Sequence, residues 1–573
     1  MSSYRQIPYG ISDFRQLRRE DWYYVDKTMY IQRLEESTPF KFLVRPRRFG
    51  KSVFLSMMQA YYDINLRDQF QEIFKGLWIA DHPTPLQGTF QVLTLDFSLV
   101  LGSIDTLEQS FGRFCNVVLD DFAKRYEHLY YDGFAADVKA EGFYGDKFNK
   151  IYLEAKERQH PLYLIVDEYD NFTNNVLNVE GEAVYHALTH GEGFYRGVFK
   201  LFKAMFNRVL MMGVSPVTMD DLTSGYNVAL NITQNSLFNQ MLGFSEDDVR
   251  QMIRYYQDEG KITCGEEELI AEMKPWYDNY CFSGVIVDSD PKMFNCDMVL
   301  YYLHSVVTTG KSPKQMIDPN TRTDYRKMQK LIRLDQLDGN RLGVLHEIAS
   351  KGYIINTLKE SFPASELTDP DTFVSLLFYY GMLTIGELYG AKLKLIIPNN
   401  NVRLQYYNYL MEEYRRILRY DHSHLDQAYD QAALNGDWQP MLQEIAKAYE
   451  QTTSVRQLIE GERNLQGFMN AYLTLTPYYL TAPEMELNHG FCDFFLMPDL
   501  SRYPMIRHSY ILELKYLKAD ATNAEAAAQW TEAEAQIRQY AQAPMVQKMM
   551  GNTTLHLLIM QIRGYQLVRA GKV

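Results

Sequence analysis

Cysteine is scarce in this chain and never paired by spacing. The five residues, Cys115, Cys264, Cys281, Cys296 and Cys492, are scattered. Neither a zinc module nor a disulfide framework is expected from them, and the reading is reduced, buried thiols in a cytoplasmic protein. Long apolar runs are lacking as well. The opening Met1-Ser2-Ser3-Tyr4-Arg5-Gln6 has no apolar stretch of the signal-peptide kind, and the most apolar segment, near 92–104, is broken by Asp96. No membrane span is expected. A basic excess is also missing. With a formal net charge of −14 the chain cannot coat nucleic acid along its whole surface, and only a local basic channel is compatible with such a partner. There is no low-complexity tract and no internal repeat, so disorder is not a major theme.

What is present is enough chain for several cores. A length of 573 residues exceeds what one hydrophobic core serves. The 43 tyrosines and 31 phenylalanines read as large cores with hydroxyls at their edges. Residues 1–245 alternate short apolar runs with helical patterns, the signature of a parallel sheet flanked by helices. Strands are expected at Lys41–Val44, Gln91–Phe97, Leu162–Val166 and Val209–Val214, with helices over Val53–Tyr62 and Leu107–Arg125. Residues 246–424 read as a mainly helical middle region. Residues 425–573 follow the order helix, strand, strand, helix, strand, a compact α/β unit.

The first chemistry sits at the end of Phe42-Leu43-Val44, where Arg45-Pro46-Arg47-Arg48-Phe49-Gly50-Lys51-Ser52 leads into an apolar helical stretch. Strand, loop and helix start together make a phosphate cradle, because backbone N–H groups and the positive end of the helix dipole converge there. Gly50 allows close backbone approach, Lys51 reaches the outer phosphates, and the Ser52 hydroxyl is a Mg²⁺ ligand. Position 45 carries arginine where the usual P-loop has its first glycine, and Arg45, Arg47 and Arg48 bring positive charge to the loop for phosphates or for the protein's own acids. The partner half is Leu162-Tyr163-Leu164-Ile165-Val166-Asp167-Glu168, a buried strand ending in two carboxylates. Asp167 would join the Mg²⁺ shell and Glu168 would orient or deprotonate the attacking water. Ser215, after the Val209–Val214 strand, could sense the γ-phosphate.

The second chemistry lies near the C-terminus. In Tyr510-Ile511-Leu512-Glu513-Leu514-Lys515-Tyr516-Leu517 alternate residues share a face, so Glu513 and Lys515 point the same way, opposite an apolar row. A charged pair there is costly unless it faces a polar site. Upstream, Gly490-Phe491-Cys492-Asp493-Phe494-Phe495-Leu496 reads as a second strand, and a hairpin would bring Asp493 beside Glu513. Two hard carboxylates suit Mg²⁺, and the lysine can position or activate a water against a phosphodiester. Glu462 interrupts an apolar helical stripe formed by Leu458, Leu465, Met469 and Tyr472, as an acid aimed at the same site would. Gln536 and Tyr540, on the following helix, are candidates for that cleft.

These residues together resemble a bacterial family, common in gut Bacteroidetes, that pairs an AAA-ATPase-like domain with a C-terminal PD-(D/E)xK nuclease domain. The resemblance is carried by Tyr24-Val25-Asp26-Lys27-Thr28, the whole Arg45–Ser52 loop, Asp167-Glu168-Tyr169-Asp170 and Gly213-Val214-Ser215. It continues through Trp276-Tyr277-Asp278-Asn279-Tyr280, Ser375-Leu376-Leu377, Tyr380-Gly381 and Ile397-Pro398-Asn399. It implies a P-loop NTPase sheet of the additional-strand type, ATP and Mg²⁺ as cofactors, and a nuclease core of Asp493, Glu513 and Lys515 with Glu462 as the helical acid. Nucleic acid, DNA in the first instance, is the implied substrate, and a homo-oligomer is one expectation for an AAA-like ATPase. The family often has Gly-Arg-x-Asp before the first nuclease acid, whereas this chain has Gly490-Phe491-Cys492-Asp493. The rival expectation is a nucleotide-controlled signalling or assembly switch whose nuclease fold binds without cutting.

Overall fold

The structure, a computed structural model, describes residues 4–100, 106–171, 194–217, 229–289, 292–313, 315–318, 340–366, 369–406, 423–450, 462–473, 475–487, 490–500 and 502–573. The chain divides into two compact units, Met1–Leu334 with Ile355–Asn399, and Asp335–Ile354 with Asn400–Val573. The expected middle region is therefore shared out. Its helices Glu246–Asp258, Glu266–Tyr277 and Cys296–Thr309 belong to the first unit.

The first unit is built on a parallel sheet of β1 (Phe40–Val44), β2 (Gln91–Asp96), β3 (Leu162–Asp167), β4 (Arg208–Gly213) and the short β5 (Leu230–Asn231), in the order β2-β3-β4-β1-β5. All its ladders run parallel. Such strands are covered on both faces, and every residue of β3 is buried accordingly. β4 lies between β1 and β3. It is the additional strand, and it separates the strand that feeds the phosphate loop from the strand that carries the acids. The helix Lys51–Tyr62 packs across β2 and β3. Farther along the chain β6 (Tyr353–Asn356), β7 (Thr384–Tyr389) and β8 (Lys392–Ile396) form a three-stranded sheet of order β6-β8-β7.

The second unit carries a mixed sheet of order β13-β12-β11-β10-β9. Its strands are β9 (Tyr479–Leu487), β10 (Gly490–Pro498), β11 (His508–Leu517), β12 (Thr554–Arg563) and β13 (Gln566–Lys572). Only β11 and β12 are parallel, and the connection between them holds the helix Asn523–Ala541, as a parallel pair requires. That helix opens on a reciprocal capping box between Thr522 and Glu525. It buries Trp530, Ala533 and Ile537 against Ile511 and Ile559 of the sheet. Both faces of β11 are covered, so the Ile511, Glu513 and Lys515 row meets the helix side while Tyr510, Leu512 and Leu514 pack in a second buried layer. All five cysteines are free thiols. Among the described residues no helix is long and apolar enough to cross a membrane.

Candidate functional site

The phosphate loop is shaped by two left-handed residues. Arg48 has φ 65° and Gly50, at the N-cap of the helix Lys51–Tyr62, has φ 84°. Glycine takes that conformation without steric cost; arginine does so only where its surroundings hold it. They do here: the Arg48 carbonyl accepts from Asp297 N at 3.4 Å and from Cys296 Sγ at 3.2 Å, and its guanidinium pairs with Asp297 at 2.6 Å. The Lys51 ammonium lies inside the loop, donating to the carbonyls of Arg45 at 3.0 Å and Pro46 at 2.8 Å. Burial lowers its pKa, while Asp167 and Glu168 act in the opposite sense.

Ser52 Oγ donates to Asp167 Oδ2 at 2.6 Å, closing the gap between the loop and the acidic strand. The hydroxyl proton is thus committed to Asp167, and the oxygen lone pairs remain available to a hard cation, so the donor set fits Mg²⁺. Burial raises the Asp167 carboxyl, with Ser52 and Lys51 pulling it back down. Glu168 is also left-handed, at φ 48°. It lines a cleft of about 370 Å³ together with Arg47, Arg48, Gly50, Lys51 and Ser52. That volume is in the range of small-molecule sites.

In the second unit the β10–β11 register runs Phe494 opposite Leu512, Phe495 opposite Ile511 and Leu496 opposite Tyr510. One step beyond it, Asp493 comes alongside Glu513. Asp493 accepts from Leu514 N at 2.7 Å through Oδ2 and from Gln466 Nε2 at 2.9 Å through Oδ1. Lys515 Nζ lies 3.0 Å from Glu513 Oε1 and 3.1 Å from Gln536 Oε1. Burial, then the neighbouring Glu513 charge, pushes the Asp493 carboxyl up to about 7. The Tyr540 phenol is pushed up to about 12 by burial, then by Glu513 and Asp493. Two oxygen-donor acids that repel one another in a half-buried site are a fit for a divalent cation that keeps part of its water shell. Among the described residues no group of three or more His, Cys, Asp or Glu is placed to hold a metal by itself.

Residues 8–223 match the model of the predicted AAA-ATPase family, and residues 460–571 match that of the PD-(D/E)XK nuclease superfamily. The chain joins an AAA-ATPase-like domain to a PD-(D/E)XK nuclease-superfamily domain. An uncharacterized protein in the vnfD 5′ region of Azotobacter chroococcum mcd 1 is 25% identical over 298 residues, which is 50% of this chain and 50% of that protein. The chain thus spans about half the length of that curated relative. Among solved structures, the Aeropyrum pernix ORC2 protein in its ADPNP-ADP complexes covers 72% of this chain and 96% of its own, at 11% identity and a TM-score of 0.32. The Aeropyrum pernix ORC1 protein in complex with DNA covers 71% and 94%, at 8% identity and a TM-score of 0.26.

Within the AAA-ATPase-like domain two expected phosphate contacts are placed otherwise. Arg45 is fully buried, and its guanidinium donates to the carbonyls of Val44 at 3.0 Å, Thr233 at 2.7 Å and Phe238 at 3.1 Å, over the ring of Phe282 at 4.1 Å. A side chain so committed is an anchor for the loop and does not reach the cleft. The Phe49 ring is likewise buried, edge-on to Tyr280 and Phe282. Both partner rings follow the helix Glu266–Tyr277, so the loop is packed by residues from far along the chain.

Sequence reasoning noted Asp170 in the family pattern and gave it no role. It is 1% exposed and accepts from Val214 N at 3.2 Å and Ser215 N at 2.7 Å, tying the end of β3 to the end of β4. A Cβ on Gly213 would come within 2.5 Å of Asp170 Oδ1, so this contact needs glycine. Ser215 is wholly buried in the same arrangement. In the nuclease-superfamily domain the side chain of Glu462 lies outside the described residues. Gln466, one turn later on the helix Glu462–Leu473, makes the contact with Asp493; its i+4 spacing from Glu462 was the available signal.

Proposed function

We propose that the protein binds and hydrolyses ATP at the phosphate loop and that this cycle controls Mg²⁺-dependent phosphodiester cleavage of nucleic acid, DNA in the first instance, by the C-terminal domain. Arg47, Arg48, Gly50, Lys51 and Ser52 would hold the triphosphate, Asp167 and Ser52 the nucleotide's Mg²⁺, and Glu168 the attacking water. In the second domain Asp493 and Glu513 would ligate the cation and Lys515 would orient the water. Mg²⁺ there supplies Lewis-acid charge and a more acidic bound water.

The observation that carries the cleavage reading is the approach of Asp493, Glu513 and Lys515 on neighbouring strands: Lys515 lies within 3.0 Å of Glu513, and Asp493 is held by Leu514 N between them. Lys515 is steadied by Gln536 and Asp493 by Gln466, so two neutral amides keep the charged groups in place without neutralising them.

The test is cleavage of plasmid, linear and single-stranded DNA by the full chain, with and without ATP and Mg²⁺. Glu513→Gln is expected to lower cleavage by about 100-fold or more, the scale on which positioned acid–base and metal-holding groups act. Equal cleavage by wild type and Glu513→Gln would assign the nuclease activity elsewhere. Metal-independent DNA binding with no cleavage would instead favour the binding-only switch.

A further inference from the structure

The acidic end of β3 has a neighbour that the loop and strand motifs do not include. β2 runs beside β3 in parallel register, from Gln91 opposite Leu162 to Asp96 opposite Asp167, so both strands finish on a carboxylate at the same level. Registered residues on adjacent strands project from the same face of a sheet. Asp167 projects toward Ser52, at the start of the helix that packs across both strands. Asp96 therefore projects to that side too, at the C-terminal edge of the parallel sheet, where open α/β sheets bind their ligands.

Asp96 is half-buried and oriented. Its Oδ1 accepts from Ser98 N at 2.9 Å, a turn that needs one carboxylate oxygen only. Two carboxylates on adjacent strands, about 5 Å apart by strand spacing, repel one another unless a cation lies within reach of both. A turn acceptor alone does not require that arrangement, because asparagine serves the turn without a charge and serine does so more weakly.

We propose that Asp96 is a positioning residue for the Mg²⁺-nucleotide: a second carboxylate that accepts from the water shell of the nucleotide's Mg²⁺ beside Asp167. The proposal rests on the nucleotide reading of the phosphate loop and extends it. Mg²⁺ gives up its waters reluctantly and keeps several of them when held by few protein ligands, so the shell presents more protons than the Asp167 carboxylate accepts. Asp96 takes up part of that demand and fixes the ion's place relative to Ser52. The Asp96 charge then opposes the bare triphosphate and favours the metal complex.

Binding of a fluorescent ATP analogue to the full chain is measured across a Mg²⁺ titration for wild type, Asp96→Asn, Asp96→Ser, Asp167→Asn and the Asp96→Asn/Asp167→Asn pair, with thermal unfolding of each. Both Asp96 variants keep an acceptor for Ser98 N and lose the charge. The expected result is metal-free affinity equal to or above wild type, a Mg²⁺ requirement raised about 10-fold, and a double variant milder than the product of the singles. An unchanged Mg²⁺ requirement in both Asp96 variants, with wild type responding to Mg²⁺, overturns the proposal and leaves Asp96 a turn residue. Wild type that binds no nucleotide at any Mg²⁺ concentration overturns the phosphate-loop reading itself, and the proposal with it.

Discussion

The two candidate sites hold their acids in opposite electrostatic settings. Asp167 and Glu168 stand beside Lys51, Arg47, Arg48 and the start of a helix 12 residues long. Negative charge there is met by three cationic side chains and by the positive end of the helix dipole. Beside Asp493 and Glu513 stand Lys515, the Leu514 N–H and the neutral Gln466 amide, with Gln536 holding the lysine. The first arrangement is made for an anion that brings its own cation. The second is made for a cation drawn from solvent, since burial and the Glu513 charge both disfavour the ionised Asp493 carboxyl. One chain thus carries two ways of meeting a phosphate, directly through backbone and lysine, or through a metal.

The largest expected effect tests whether the loop's arginines are interchangeable. Arg45→Ala leaves the Thr233 carbonyl without its arginine donor and the Phe238 carbonyl with Met241 N alone, and is expected to destabilise the first unit by about 2–3 kcal/mol, since a buried unsatisfied group costs about 1–3 kcal/mol. Chemical denaturation followed through the first unit's tyrosines reads this; a change below about 0.5 kcal/mol, the scale of a surface substitution, would return Arg45 to the list of ligand contacts. Lys51→Ala is expected to weaken ATP by about 10–100-fold, the equivalent of one lost charge-assisted contact, with little change in the second unit's metal response. Calorimetry with ATP checks the first half, and unaltered ATP affinity would contradict the anion-site side of the comparison.

The smallest effect on affinity concerns pH. The Asp493 carboxyl is raised in the folded protein to about 7 from its ordinary 3.8. Between those values the folded state holds a proton that the unfolded state has released, so folding stability in a chelator falls as pH rises through that window. A salt-bridged aspartate gives the opposite slope. Mg²⁺ must displace that proton, so its affinity is expected to fall as pH drops below about 7, by at most about 10-fold per unit for one competing proton. Metal titrations at pH 6 and pH 8 on wild type and Asp493→Asn check both statements, and an equal slope in the variant would place the titrating group elsewhere.

Much of the parallel sheet was legible because its strands are short apolar runs bounded by polar turns: β1, β2, β3 and β4 fall within one or two residues of expectation. β5 is only two residues long and could not be read from pattern. β9 and β13 were missed for a different reason. Their composition mixes polar and apolar residues, and β13 is largely exposed, so neither shows a clear apolar alternation. The approach of Ser52 to Asp167 was legible because the neighbours of each in sequence carry the signal. Arg45 was assigned to phosphate from that same local pattern, but its partners Thr233 and Phe238 lie almost 200 residues away. Asp170 was given no role for the same reason, since only the distant turn at Gly213 distinguishes it from any polar residue after a strand.

The placement of β4 between the two halves of the phosphate site has a mechanical consequence. Its ladders bind it to β1 on one side and to β3 on the other, and its far end is gripped by Asp170. Any pull on the loop or on the acids strains this shared strand, so the two halves are geared together, and Gly213–Ser215 is the point where a load applied to either one is felt.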